Sequence, residues 1–134
     1  MRDAVLMFDG GSRGNPGPSG CWYVLMNSDE SKIIISGSEF LGKNTNNYAE
    51  YMGMILGIQK ALELDIENLI IKGDSQLVIK QMLKQYSVKA PNLIPLYNQA
   101  KNLILGFQDT KFYHIKRNLN TLADKLANHA MDND

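Results

Sequence analysis

The chain has 134 residues and a mass of 15.0 kDa, which at roughly 150 residues per domain predicts one domain over residues 1–134. Hydrophobic residues make up 44% and charged residues 21%, values that exclude intrinsic disorder and collagen and leave a globular protein with enough apolar side chain for a core. Fourteen Lys and Arg balance fourteen Asp and Glu, so the total charge gives no sign of a polyanionic partner.

At the amino terminus, Met1-Arg2-Asp3 sets an acid beside a short apolar run, unlike a secretory signal peptide. No apolar stretch approaches the ~20 residues that span a bilayer, and a soluble, cytoplasmic protein with no membrane partner is the expectation. Residues 4–8 are an apolar run closed by Asp9-Gly10-Gly11, which predicts a buried strand. The glycine- and proline-rich residues 10–20 predict a turn-rich loop. Residues 21–26 and 32–41, rich in aromatic and β-branched side chains, flank the polar turn Asn27-Ser28-Asp29 and predict a hairpin. The lone cysteine, Cys21, has no partner for an internal disulfide, fits a reducing compartment and reads as a buried small hydrophobe.

From residue 46 to 64 the hydrophobic period changes from 2 to 3.6, with Tyr51, Ile55, Ile58 and Leu62 on one helical face. Gly53 and Gly57 cost helix stability and permit close packing against a sheet. Residues 66–71 predict a strand ending at Gly73-Asp74, after which Ser75 caps a helix to about residue 84 with Leu77, Ile79, Met82 and Leu83 as its apolar side. Pro91 suits the first turn of a further helix, and Gly106 its stop. Residues 110–115 predict the last strand, and Asn118 or Asn120 caps a final helix with Leu122, Leu126 and Ala130 on one face. Together these elements make an α/β domain with a mixed sheet.

Most acidic side chains in such a protein are solvated surface charges, and Asp3, Asp29, Glu30, Glu63, Glu67, Asp132 and Asp134 fit that description. Asp9 and Asp74 do not, because each ends an apolar strand. If the two strands are parallel neighbours, both carboxylates meet at the carboxyl edge of the sheet, where open α/β sheets hold ligands. Like charges so placed repel, and a divalent cation resolves the conflict; oxygen-only ligands suit magnesium or manganese. Glu50 is expected in the first turn of the first long helix and Asp124 near the start of the last, where the helix dipole favours the ionised form by roughly 0.3–1 kcal/mol. Taken singly, each is an ordinary acid near a helix N-terminus; the four together carry the metal-site reading. The glycine-rich segment is not a P-loop, since no Gly-Lys-Ser/Thr follows at the required place.

Four segments then resemble a known family. Phe8-Asp9-Gly10-Gly11-Ser12-Arg13-Gly14-Asn15-Pro16-Gly17, Thr45-Asn46-Asn47-Tyr48-Ala49-Glu50, Gly73-Asp74-Ser75-Gln76 and Asn120-Thr121-Leu122-Ala123-Asp124 resemble the signature segments of type 1 ribonuclease H, in the family's order and spacing. Residues 71–90 with Ile94-Pro95-Leu96-Tyr97 look most like the archaeal-type branch. The resemblance implies the ribonuclease H-like fold, a five-stranded mixed sheet of three antiparallel strands then two parallel ones, flanked by helices. It implies an endoribonuclease that cuts the RNA strand of an RNA/DNA hybrid and leaves 5′-phosphate and 3′-hydroxyl ends. Asp9, Glu50, Asp74 and Asp124 correspond to the family's catalytic, metal-binding carboxylates, with two Mg²⁺ per site, or Mn²⁺ in their place. Gly10, Gly11, Ser12, Asn15, Asn46, Asn47 and Gln76 resemble its substrate contacts, and Thr45 resembles a residue that helps hold a DNA-strand phosphate. Amide side chains suit this work because they donate to and accept from the 2′-hydroxyl that marks RNA. The plainer reading of Asn46 and Asn47 is that they only cap the helix.

Two departures from the family pattern matter. Residues 85–90 replace a basic inserted helix and loop, which predicts weaker hybrid affinity. The loop before the last carboxylate, residues 116–119, lacks the family's histidine; His114 reads as part of a strand with a structural role, His129 as a surface residue, and Lys116, Arg117 or Asn118 as possible substitutes. A catalytically weak or inactive relative that binds hybrid or double-stranded RNA is the alternative function, and a monomer is the simplest assembly. The zero net charge also conceals segregation: residues 72–117 hold eight basic and two acidic side chains, a local +6 that fits a nucleic-acid face.

Overall fold

The computed structural model describes residues 2–117. Along them run β1 (Asp3–Ser12), β2 (Gly17–Asn27), β3 (Ile33–Asn44), α1 (Asn46–Glu63), β4 (Asn68–Gly73), α2 (Gln76–Met82), α3 (Ile94–Ile104) and β5 (Asp109–His114). The strands form one sheet in the order β3-β2-β1-β4-β5. β1 pairs antiparallel with β2 and β2 with β3, while β1 pairs parallel with β4 and β4 with β5. This is the expected mixed sheet. The final helix expected from Asn118 or Asn120, with Asp124 and His129, lies outside the described residues.

The strand limits differ from the sequence expectation. β1 does not stop at Asp9: Asp9, Gly10, Gly11 and Ser12 pair with Trp22, Cys21, Gly20 and Ser19 of β2. Glycine keeps both backbone hydrogen-bonding groups, and an available partner strand overrides its weak strand preference. The loop therefore shrinks from residues 10–20 to residues 13–16, closed by the Arg13 amide donating to the Pro18 carbonyl at 2.9 Å. At β4 the expected start moves from Ile66 to Asn68, because the Ile66 amide is still engaged with the Ala61 carbonyl of α1 at 3.1 Å.

The main core lies on one face of the sheet. Leu6 and Phe8 of β1, Leu25 of β2 and Ile71 of β4 pack in one cluster with Met54, Ile55 and Ile58 of α1. Leu62, expected on the same face, is only partly buried at the edge of that cluster. The two helix glycines do what their spacing predicts. A Cβ on Gly53 would stand 2.7 Å from the Asp9 carbonyl oxygen, and one on Gly57 would stand 2.3 Å from a Leu6 methyl carbon. On the opposite face Trp22, Val24 and Met26 form a second cluster with Met7. Cys21 is fully buried, and desolvation, followed by the Glu39 charge, pushes its thiol up to about 12, as befits a packing residue.

Ser75 caps α2 as expected, accepting from the Val78 amide at 3.3 Å, and Val78, Ile79 and Met82 turn inward. Leu83 does not join them; the helix has ended and the side chain is 42% exposed. Pro95, rather than Pro91, occupies the first turn of α3, where a missing N–H costs nothing. Pro91 lies in the preceding turn, whose Ala90 carbonyl accepts from the Leu93 and Ile94 amides.

Candidate active site

The parallel register of β1 and β4 puts Phe8 opposite Gly73, so Asp9 and Asp74 follow side by side at the carboxyl edge of the sheet. Glu50 arrives from α1. That helix reaches the edge because Gly10 has no side chain: a Cβ there would stand 2.3 Å from the Ala49 carbonyl carbon and 2.6 Å from the Glu50 nitrogen. Asp9, Glu50 and Asp74 each offer a carboxylate oxygen, and these oxygens all lie within 4.8 Å of one another.

The electrostatics of the cluster are set by burial and crowding. Asp9 is 1% exposed and its Oδ1 accepts from the Gly10 amide at 2.8 Å. Glu50 Oε1 has no exposed surface and no hydrogen-bond partner. Desolvation, then the charges of Asp9 and Asp74, raise the Glu50 carboxyl well above its ordinary 4.5, while the Arg117 charge works against them. The sequence expectation is the reverse, a first-turn acid held ionised by the helix dipole. Glu50 is the fifth residue of α1, beyond the first turn, where no acid stands. A dipole effect of roughly 0.3–1 kcal/mol does not offset a desolvated carboxylate facing two others. A buried acceptor without a donor, beside two more carboxylates, fits a hard divalent cation.

Beside the carboxylates, polar side chains tie three segments together. The Ser12 amide donates to Asn46 Oδ1 at 2.6 Å, and the Asn46 amide donates to Asn15 Oδ1 at 3.0 Å. The Ser12 and Ser19 hydroxyls both donate to the Asn44 carbonyl at 2.8 Å. The helix cap is Thr45, not Asn46 or Asn47; its Oγ1 accepts from the Tyr48 amide at 3.2 Å. Asn46 and Asn47 follow the cap as the first two residues of the helix, and both are exposed.

A family model described as reverse transcriptase-like matches residues 7–130. Ribonuclease HI of Halobacterium salinarum is 39% identical over 125 residues, covering 93% of this chain and 62% of that protein. The crystal structure of RNase H1 from that archaeon superposes with a TM-score of 0.94 at 37% identity, over 98% of this chain and 99% of the other. The chain belongs to the type 1 ribonuclease H family. A bifunctional protein of Mycobacterium tuberculosis is 42% identical over 128 residues, 96% of this chain and 35% of that protein. Its N-terminal RNase H domain superposes with a TM-score of 0.96 at 41% identity, over 98% and 95% of the two chains. LC11-RNase H1, solved in complex with an RNA/DNA hybrid, superposes with a TM-score of 0.90 at 31% identity over 97% of each chain. The chain thus spans 35% of the mycobacterial protein's length and 62% of the Halobacterium one.

Within this ribonuclease H domain, three of the four expected carboxylates come together, and Asp124 lies outside the described residues. Gly10, Gly11 and Ser12 line the end of β1, Asn15 sits in the following turn, Thr45, Asn46 and Asn47 stand at the start of α1, and Gln76 opens α2. His114 ends β5 as expected of a strand residue, yet it is exposed and its Nε2 lies 3.2 Å from the Asp74 carbonyl oxygen. Asn92 was not anticipated. Its Nδ2 donates to Thr45 Oγ1 at 3.3 Å across 47 residues of sequence, a contact that no local pattern announces.

Proposed function

We propose that this chain hydrolyses the RNA strand of RNA/DNA hybrids and leaves 5′-phosphate and 3′-hydroxyl ends. The observation that carries the reading is the approach of Asp9, Glu50 and Asp74 from three separate elements, with Glu50 Oε1 left without a donor. With Asp124, these carboxylates would hold two Mg²⁺ or Mn²⁺ ions, which when bound supply an activated water and stabilise the leaving 3′ oxygen. Relatives named as ribonucleases H and a structural neighbour bound to a hybrid support the same substrate.

The chain's own residues do the positioning. Asn15 and Asn46 commit their side-chain oxygens to the Asn46 and Ser12 amides, so each presents its NH₂ group to substrate. Donors so placed suit acceptor atoms of the minor groove and the oxygen of a 2′-hydroxyl. Thr45, fixed between the Tyr48 amide and Asn92, would help hold a phosphate of the DNA strand. Arg117 brings a positive charge to the carboxylate cluster and is a candidate for the work of the missing loop histidine.

Incubation with labelled hybrid, RNA duplex and DNA duplex, in Mg²⁺, Mn²⁺ or EDTA, tests the reading. Cleavage of the hybrid RNA strand, abolished by EDTA, is expected; no hybrid cleavage with either metal would sink it. Equal cutting of RNA duplex would favour a nuclease that reads A-like shape in general. The bond between His114 and the Asp74 carbonyl favours a second reading, because it commits His114 to the scaffold: binding of hybrid without products in any metal.

A further inference from the structure

Tyr23 stands in β2 opposite Gly37 of the edge strand β3, on the face of the sheet that α1 covers, and only 8% of it is exposed. Its ring lies across the glycine: a Cβ on Gly37 would stand 2.7 Å from Tyr23 Cε2 and 2.8 Å from the hydroxyl oxygen. Among the described residues that hydroxyl makes no hydrogen bond, an uncommon state for a polar group buried to this degree.

Tyr23 lines a cleft of about 290 Å³ between β3 and the last turns of α1. Leu56, Gln59, Lys60 and Glu63 recur at helical spacing and form one wall. Gly37 and Glu39, alternate residues of β3, belong to the other, with Tyr23 of β2 beside them. The charges of the lining do not cancel. Lys60 Nζ pairs with Glu63 Oε2 at 2.7 Å, while Glu39 has no ion pair among the described residues. Burial raises the Tyr23 phenol above its ordinary 10, against the pull of the Lys60 charge, so the group keeps its proton and offers a neutral oxygen.

We infer that this cleft binds a small aliphatic amine, whose ammonium group donates to the Glu39 carboxylate and the Tyr23 hydroxyl oxygen while its hydrocarbon part lies on Leu56. The one uncompensated charge of the lining is negative, which selects a cation. A metal ion does not suit, because hard divalent cations take six or more oxygen ligands and this cleft sets one free carboxylate against an apolar wall. The volume lies at the lower end of the roughly 300–1,000 Å³ of small-molecule sites, so the amine is small. Amine binding is independent of hybrid cleavage: Asp9, Glu50 and Asp74 take no part in the lining, and Leu56 follows Glu50 by more than one helical turn.

The test is titration of the full chain with n-butylamine, followed by ¹H–¹⁵N correlation spectra at neutral pH and constant ionic strength, with Mg²⁺ present and nucleic acid absent. Saturable shifts are expected at the Gly37, Glu39 and Lys60 amides, and none with butyrate, which has a similar chain and the opposite charge. Glu39→Gln is expected to weaken binding about tenfold or more, and Tyr23→Phe, which keeps the ring, about threefold or more. Tyr23→Phe should also melt no lower than the wild type without amine, since the hydroxyl it loses has no partner, yet gain less in melting temperature when amine is added. Asp74→Asn is expected to bind as the wild type does, which separates the cleft from the carboxylate cluster. The inference is overturned if butylamine gives no saturable shift, if butyrate binds equally well, or if both Glu39→Gln and Tyr23→Phe bind as the wild type does. Loss of amine binding in Asp74→Asn would also overturn it, by placing the amine at the cluster.

Discussion

The two ends of β1 and β4 carry the same kinds of side chain in opposite circumstances. At the amino end Asp3 accepts from Asn68 Nδ2 at 2.8 Å and Glu67 pairs with Arg2 at 2.8 Å, all near solvent. At the carboxyl end Asp9, Glu50 and Asp74 face one another, and burial drives the Glu50 carboxyl toward its protonated form. Carboxylates that face donors and water are ordinary surface. Carboxylates that face each other store a repulsion that a proton or a cation relieves, and the close approach of α1 to Gly10 of β1 brings Glu50 to the two aspartates.

Neutralising one member of each set separates the ends most sharply. Asp9→Asn or Asp74→Asn is expected to reduce hybrid cleavage roughly a thousandfold or more, since the carboxylates act as one unit. The metal-free variant should melt no lower than the wild type, because a like charge has been removed from the cluster. Activity assays and thermal melts in EDTA check both halves. Loss of activity together with a large loss of stability would instead make Asp9 a structural residue.

The next largest effect breaks the geometry without touching a charge. Gly10→Ala would place a Cβ 2.3 Å from the Ala49 carbonyl carbon and 2.4 Å from its oxygen, so backbone must shift. Overpacking of this kind costs about 1–3 kcal/mol, and moving Glu50 relative to Asp9 by an ångström is expected to lower kcat about a hundredfold. Denaturant unfolding and single-turnover cleavage measure the two effects. Wild-type cleavage by Gly10→Ala would show that the helix approach is not what sets the site.

Much of this arrangement was legible before any coordinates. Two apolar runs ending in Asp9 and Asp74 bring their carboxylates together if the strands are parallel neighbours, and Gly53 and Gly57, four apart, permit a helix pressed against a sheet; both hold. What escaped notice depended on partners distant in sequence. The extension of β1 through Gly10 and Gly11 needed β2 beside it, and the bond of Asn92 to Thr45 needed the segment between α2 and α3 folded back on α1. The sign of the Glu50 shift also escaped, because a helix position suggests the dipole and says nothing of desolvation. Asp124 lies outside the described residues, so its expected place in the cluster stays a proposal.

Proton and cation should be interchangeable as relief for the repulsion, and linkage gives the sign. In metal-free protein the folded chain keeps the Glu50 proton to a higher pH than the unfolded chain, whose value is the ordinary 4.5. Its contribution to stability is complete below that value and is lost as pH rises through the folded value. Wild type should therefore lose stability relative to Glu50→Gln between pH 4.5 and a pH above the folded value in EDTA. Saturating Mg²⁺ should restore it, by about 2.7 kcal/mol at a hundred times the dissociation constant. Urea unfolding at both pH values, with EDTA or Mg²⁺, provides the comparison, and parallel pH profiles for the two proteins would contradict it.

The smallest expected effect comes from the amino end and guards the comparison against a trivial explanation. Asp3→Asn removes a charge but keeps an oxygen that accepts from Asn68, and its partners are exposed. Exposed charge interactions are worth about 0–1 kcal/mol, so stability should change by less than about 0.5 kcal/mol, with no Mg²⁺-dependent part. Hybrid cleavage should be unaltered, since Asp3 stands six residues before Asp9 on the same strand, at its far end. If Asp3→Asn raised stability in EDTA as much as Asp74→Asn, the gain at the carboxyl edge would reflect the chain's overall acidity. If only the Asp74 variant gains, the repulsion belongs to the cluster.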